Sequence, residues 1–580
     1  MVLSKTSKRL GVFVFFDKDS IIDDYVIYLL DSLNDAVNKI IFVSNCNLSK
    51  QEIQKLDKYK NIDVNIRENK GLDAGAFKFV YDKYGKDYIC EYDELILLND
   101  TFFGPFKPFK QIINEMNKDD IDFWGLTANY DSPDGTKKAI DGYIHSHIQT
   151  YFIAYRKSIL SSDFFNDYWN KYNINKNNSF ETVVNNHESY FTYLLEKEGF
   201  KWDTYINLDH YKNDNMKYNY NIYGYSSYTL LKYFNCPFIK RKNFVFNKVD
   251  ALYINDGMDT SNALKWIKEN TDYDINMIYK NIIRLYSPYD IYQSLNLNYI
   301  IDKIEKNKKA KTAIIANIND DNAYNLSKLY FDNISICDKY LYTENKELSK
   351  SINELTYTDN LYKKIMKLKK ELIEKYDYVC FLNLKDENTS FQEIVDSSII
   401  RTLENTINSD SFVNGVIDVF ENNIIDILFT PESFHNKNIM NITGANKYKI
   451  VKKLNDRTSK NITSNKLIKS FDGLWIRSEV LNNIVQDDIT YEELIALFEI
   501  FIKNRIYGKM YNRKYIKNDI LSLEVICNYC LHSNKAKLSF PNRMTYVDNA
   551  GPLRRLFRRI VPLSIRKKLK ILFKIENDSI

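Results

Sequence analysis

The chain has 580 residues, 44% hydrophobic and 27% charged. That is enough for two to four ordinary cores of roughly 150–250 residues each, and too apolar for an intrinsically disordered protein. The net charge of +5 is uneven: nine positive residues and no acid lie within 551–574, so the rest of the chain carries a net −4, which argues against a nucleic-acid-binding body.

Seven dispersed cysteines, at 46, 90, 236, 337, 380, 527 and 530, argue for a reducing cytosol rather than a disulfide framework. The polar start is not expected to act as a signal peptide. No apolar run approaches the ~18 residues that span a bilayer.

Apolar periodicity then predicts elements in chain order. Gly11–Phe16 reads as a strand, 22–38 as a helix, Lys39–Val43 as a strand, 49–59 as a helix and Ile62–Ile66 as a strand. A helix over 73–84 and a strand over Glu94–Leu98 follow, then strands at 123–126 and 150–155 and a helix over 180–199. Helices are predicted at 262–269 and 275–285. At 311–316 a strand restarts the alternation, with a helix at 324–332, a strand at 335–342, a long helix at 360–376 and a strand at 378–382. Strand–helix–strand alternation implies parallel pairing in an α/β sheet. Lys375–Asn383 echoes Tyr92–Asn99, which predicts a second domain of similar build.

Two motifs carry the chemistry. Arg67-Glu68-Asn69-Lys70-Gly71-Leu72-Asp73-Ala74-Gly75 is a glycine-punctuated polar loop opening a helix, and Leu95–Leu98 is an apolar strand ending in Asn99-Asp100-Thr101. Glycines let backbone approach a ligand, helix N-terminal amides favour anions, and a strand-end Asp suits a hard divalent cation on diphosphate oxygens. Ligands of open α/β sheets sit beyond the carboxyl ends of the strands.

The chain resembles the rhamnan synthesis F protein family, bacterial glycosyltransferases that extend rhamnose-containing surface polysaccharides. The resemblance runs through Val12–Asp17 with Asp23-Asp24-Tyr25, the 69–75 loop, Leu98–Thr101, Trp124-Gly125-Leu126 and His147–Phe152. It continues through Glu188 ahead of Gly199-Phe200, then Cys236–Lys240 and Thr271–Asp274. It implies a GT-A-like (Rossmann-like) glycosyltransferase domain over 1–240, a dTDP-rhamnose donor and a lipid-linked glycan acceptor at the inner membrane face. A helical connecting region over 241–308 and a second GT-A-like α/β domain over 309–550 follow. After the second aspartate-tyrosine strand the family tends to carry a histidine-containing sequence, where this chain has Leu382-Asn383-Leu384-Lys385.

Sugar transfer needs the leaving diphosphate neutralised, the nucleotide held and, for inversion, a base on the acceptor hydroxyl. Asp100 is the candidate for a divalent metal, Mg²⁺ or Mn²⁺; a helix-cap or turn role is the alternative. Asp17, Asn69, Gly71, Asp73, Gly75, Asn99 and Gln149 are candidate donor-binding residues, with plain turns or strand-edge packing as alternatives; Thr150 shares the reading of Gln149. Glu188 is the candidate base, with Asp141 and His147 competing. His187 lies about 100° from Glu188 on a helix, so both cannot face one substrate equally. Cys527, Cys530 and His532 resemble half a zinc site, but no second ligand pair is nearby in the sequence, which argues against a structural zinc. Tyr218, Tyr220, Tyr223 and Tyr225 could stack on sugars, with a core or a surface loop as the alternatives.

In the tail 551–580, Leu553, Leu556, Phe557 and Ile560 share a helical face opposite the arginines, and Ile565, Leu569, Leu572 and Phe573 repeat it. This reads as a peripheral anchor on the cytoplasmic, anionic membrane surface. Other polysaccharide-assembly enzymes are candidate partners. The competing function is a non-catalytic scaffold or glycan-binding component of an assembly complex.

Overall fold

The structure, a computed structural model, describes residues 2–130, 132–133, 143–209, 222–245, 255–286, 288–306, 308–384, 392–431, 473–483 and 505–516. These residues divide into two compact units after Lys240. Asp141, Tyr218, Tyr220, Cys527, Cys530, His532 and the tail 551–580 lie outside the described residues. Among the described residues no helix is long and apolar enough to cross a membrane.

In the first unit the chain runs β1 (Arg9–Phe15), α1 (Asp24–Asn34), β2 (Lys39–Ser44), α2 (Lys50–Gln54), β3 (Ile62–Ile66), α3 (Leu72–Ile89) and β4 (Glu94–Asn99). Then come β5 (Phe102–Phe103), α4 (Phe109–Met116), β6 (Phe123–Gly125), β7 (Ala128–Asn129), β8 (Ser132–Pro133), β9 (Tyr143–Ile144), β10 (His147–Ile148) and β11 (Phe152–Arg156). Helices α5 (Lys157–Leu160), α6 (Asp163–Lys171), α7 (Phe180–Val183) and α8 (Ser189–Lys197) lead to β12 (Trp202–Thr204), and β13 (Ile239–Lys240) closes the unit against β5.

Seven strands form one sheet in the order β12-β6-β11-β4-β1-β2-β3. Strands β1 to β4 are parallel, as alternation predicts. The departure is β11, which runs antiparallel between β4 and β6. Its cause is local: β10 and the turn at Gln149–Tyr151 deliver the chain to the carboxyl end of the sheet, so β11 has to run back down. The centre of the sheet is buried on both faces, and β1 is buried along its whole length, as expected of parallel strands covered by helices. Phe42 stacks between Phe13 and Phe15 at 5.7 Å from each; each such ring contributes roughly 1.5–3 kcal/mol by leaving water.

The base of the sheet is held by a buried charge cluster. Arg9 Nε donates to Glu94 at 2.8 Å, Trp124 Nε1 donates to the other Glu94 oxygen at 2.9 Å, and Arg156 Nε lies 3.7 Å from it.

The second unit repeats the plan. Its sheet comprises β14 (Asn298–Ile301), β15 (Thr312–Ile318), β16 (Cys337–Thr343), β17 (Thr356–Tyr357), β18 (Tyr378–Leu384), β19 (Ile427–Phe429), β20 (Gly473–Arg477) and β21 (Tyr507–Asn512). The order is β14-β21-β19-β20-β18-β15-β16-β17. Again four parallel strands are followed by one antiparallel strand, β20. Residues 241–308 supply helices 259–270, 276–285 and 288–295 and also the edge strand β14. Both units therefore have the GT-A-like α/β architecture: a mixed sheet, parallel at its centre, with crossover helices.

Candidate active site at the carboxyl edge of the first sheet

The polar loop before α3 is braced from below. Arg67 Nη1 donates to Asn45 Oδ1 at 2.6 Å, its Nη2 donates to the Lys70 carbonyl, and Asn45 Nδ2 donates to the Leu72 carbonyl at 3.2 Å. Burial lowers the pKa of Arg67. Gly71, the helix N-cap, has φ of 72°, and its N–H donates to Asn178 Oδ1 at 3.1 Å. A Cβ on Gly75 would stand 2.0 Å from the Lys70 carbonyl oxygen. Both glycines are thus required by the loop's own backbone, the first by its left-handed conformation and the second by close approach. The loop leaves one group unmet: the buried Oδ1 of Asn69 has no hydrogen-bond partner among the described residues.

Beside this loop ends β4. Asn99 Nδ2 donates to Asp73 Oδ2 at 3.2 Å, and Asn99 Oδ1 accepts from the Thr101 backbone N–H and hydroxyl. Burial, then the negative charge of Glu188, push the Asp73 carboxyl up to about 6; the Asn99 N–H donates to the Tyr151 carbonyl at 3.1 Å, which brings the neighbouring Thr150 to this edge. Asp100 is buried, and the Tyr25 hydroxyl donates to its Oδ2 at 3.2 Å.

The other wall comes from 147–150 and the turn before α8. Residues 184–188 form one wide, π-type turn between α7 and α8; such turns insert a residue and recur at functional sites. Its last two residues part company. His187 goes into an aromatic cage of Tyr168, Trp169, Tyr172 and Phe191, with Nδ1 2.7 Å from the Tyr168 hydroxyl. Burial alone pushes it down to about 3, so it is neutral at any ordinary pH.

Glu188 turns the other way. Thr150 Oγ1 donates to its Oε2 at 2.6 Å, and His147 Nε2 lies 4.0 Å from its Oε1. His147 Nδ1 is 2.7 Å from the His145 carbonyl, which can only accept, so Nδ1 carries the proton and Nε2 accepts from Asn129 Nδ2 at 3.4 Å. Gln149 is buried and accepts from the Thr127 hydroxyl at 3.0 Å.

The structure thus gathers Asp73, Asn99, His147, Thr150 and Glu188, with Asp100 next in chain to Asn99. Asp17 stands at the end of β1, where its Oδ1 accepts from the N–H groups of Asp19 at 2.9 Å and Ile21 at 3.2 Å. Sequence reasoning missed Asn45 and Asn178, which brace the loop, and Tyr172. The Tyr172 hydroxyl is buried without a partner among the described residues; burial, then the Asp73 charge, raise its pKa. No motif surrounds these three residues, so only tertiary proximity reveals them.

Among the described residues no group of three or more His, Cys, Asp or Glu side chains could hold a metal ion. Asp100, the candidate ligand, would offer a single hard carboxylate. That suits Mg²⁺ or Mn²⁺, which keep waters and complete their shell from a diphosphate, and it does not suit an ion held by protein alone.

The profile of the rhamnan synthesis protein F family matches residues 40–516, most of the chain. No curated protein sequence matches. Among solved structures, a mannosyltransferase, Ktr4p from S. cerevisiae in complex with GDP, is 11% identical, with 34% of this chain and 69% of that chain covered at a TM-score of 0.23. Core-mannan synthase A from Aspergillus fumigatus in an Mn/GDP form is 9% identical over 28% and 64%, at 0.17. S. aureus TarS 1–349 is 14% identical over 50% and 88%, at 0.21.

Proposed function

This chain belongs to the rhamnan synthesis protein F family, and on that premise we propose that it transfers rhamnose from dTDP-rhamnose to a lipid-linked polysaccharide acceptor. Family membership supports a glycosyltransferase. The observation that carries the mechanism is Glu188, whose Oε2 accepts from the Thr150 hydroxyl at 2.6 Å.

Glu188 takes the proton of the acceptor hydroxyl. The acceptor oxygen then bonds to the anomeric carbon as the bond from that carbon to the diphosphate oxygen breaks, with inversion. Thr150 leaves the second Glu188 oxygen to the acceptor and fixes its orientation. His147 is a positioning residue, because its Nε2 already accepts from Asn129. Asn69 Oδ1 offers an acceptor to the donor, and Asp73 with Asn99 meets the sugar hydroxyls. Asp100 would hold Mg²⁺ or Mn²⁺ against the diphosphate, which neutralises the leaving charge.

The test is transfer from labelled dTDP-rhamnose onto membranes carrying the acceptor. Glu188→Gln abolishes transfer while donor binding persists; unchanged transfer overturns this reading in favour of a glycan-binding scaffold. The tail 551–574 anchors the enzyme to the cytoplasmic face, so its deletion moves the protein from the membrane to the soluble fraction, and an unshifted distribution refutes the anchor.

A further inference from the structure

One short segment joins the two walls of the site. It is the stretch 172–179 between α6 and α7, and it braces itself. Asn173 Oδ1 accepts from the N–H groups of Asn175 at 3.0 Å and Lys176 at 3.3 Å, and Asn177 Nδ2 donates to the Asn173 carbonyl at 3.1 Å. Two consecutive side chains then reach two different elements. Asn178 Oδ1 accepts from the Gly71 N–H at 3.1 Å, in the 69–75 loop. Asn177 Oδ1 accepts from Asn186 Nδ2 at 2.8 Å, in the wide turn that carries Glu188. Packing repeats both links. A Cβ on Gly71 would stand 2.9 Å from Ile174 Cγ2 and 3.3 Å from the Asn177 carbonyl oxygen, and the Tyr172 ring meets the His187 ring edge-on at 5.5 Å.

The two links do different things. The Gly71 amide is already satisfied by Asn178, so that bond holds the loop rather than a ligand. The Asn186 bond pins the middle of a π-type turn, which carries one residue more than an α-helical turn. An α-helix advances about 100° per residue, so relaxation of this turn to α-helical pitch would carry Glu188 about 100° round the axis, away from Thr150.

We infer that Asn177, Asn178 and Asn186 are positioning residues: they form a strap from the 69–75 loop to the wide turn, through which an occupied loop holds Glu188 in its working orientation. This strap rests on the donor reading of the loop and adds to it a coupling between donor and base. Hydrogen-bond networks between packed elements carry such coupling, and it is reciprocal in binding free energy.

The test is hydrogen exchange on the full chain with and without dTDP, followed by transfer kinetics. In the wild type dTDP slows exchange over 69–75 and also over 184–192. In Asn186→Ala the first protection stays and the second is lost, and kcat falls about tenfold or more while the donor KM changes less than twofold. Asn178→Ala, at an exposed position, breaks the other end and loses the same protection over 184–192. Asn178→Asp, which keeps an oxygen for the Gly71 N–H, restores it. Protection over 184–192 that survives in both alanine variants comes from direct contact with dTDP and overturns the strap, as does wild-type protection confined to 69–75. No protection over 69–75 in the wild type overturns the donor reading and the strap with it. The expected exchange pattern in a chain that transfers no sugar retains the strap and overturns the transferase reading instead.

Discussion

The two sheets share a base and differ at the rim. Register makes the comparison residue by residue. Asn99 pairs with Val14, and Leu98 with Phe152; in the second sheet Asn383 pairs with Asn317, and Leu382 with Gly473. Asn383 therefore stands where Asn99 stands, and Leu384 where Asp100 stands. At the amino-terminal edge the same devices recur. Lys8 N–H donates to Asp93 at 2.7 Å and Lys311 N–H to Asp377 at 2.8 Å. Lys201 N–H donates to Asp122 and Ile506 N–H to Asp426, both at 2.9 Å. Arg156 and Arg477 occupy matching ends of the antiparallel strands, each donating to backbone carbonyls.

At the carboxyl edge the described residues differ. Asn317 Nδ2 donates to Asn383 at 3.2 Å, and Leu384, the last residue of β18, stands where Asp100 follows Asn99 in the first sheet. A base can be kept for stability alone, whereas a rim that meets ligands is kept only where it works. On the proposed reading the chemistry belongs to the first sheet.

The largest expected effect breaks or sharpens that assignment. Asp100→Ala lowers transfer by about 10³-fold, equivalent to about 4 kcal/mol, whereas Asn383→Ala changes it less than twofold in the same labelled-sugar assay. Comparable losses in both would make the second rim catalytic as well.

Next in size is the base. Glu94→Gln strands Arg9 and Arg156 and destabilises the first unit by about 3–5 kcal/mol. Tyr378→Phe, at the matching place in β18, removes only a 3.3 Å hydrogen bond to Arg477 and costs about 1 kcal/mol. Denaturant unfolding of the two variants reads this difference, and equal losses would remove the special weight given to the buried cluster.

Gly75→Ala and Gly415→Ala each put a Cβ 2.0 Å from a backbone carbonyl oxygen, of Lys70 and Asp302 respectively. Each lowers stability by about 1–3 kcal/mol, seen by calorimetry as about 2–4 °C per kcal/mol. Only Gly75→Ala weakens dTDP-rhamnose binding. Equal weakening by both would detach the loop from the donor.

The smallest effect is a pH dependence. The folded chain holds the Asp73 proton up to about pH 6 instead of 3.8. This group's stabilisation is therefore full below about pH 4 and is lost as pH rises through 6. Asp73→Asn raises Tm relative to the wild type more at pH 8 than at pH 4. A difference independent of pH would place the carboxyl in water.

Much of this contrast is legible in one dimension. The echo of Tyr92–Asn99 in Lys375–Asn383 comes from a buried strand that must be apolar throughout and must end in a polar turn. The 69–75 loop is legible because a left-handed residue and a close backbone approach both demand glycine. The separation of His187 from Glu188 follows from helical phase. The antiparallel course of β11 is not legible, since a short apolar run pairs equally well in either direction.

Local composition, periodicity and backbone stereochemistry thus determined the elements, their parallel pairing, the loop and the candidate carboxylates, because each depends on residues within one or two turns of each other. Only the tertiary structure decided which groups meet. Thr150 finds Glu188, Asn99 finds Asp73, and Asn45 finds Arg67 at separations of 38, 26 and 22 residues. Those meetings depend on strand order and on one wide turn ahead of α8, which are set by how the whole sheet buries its faces rather than by any residue's neighbours in sequence.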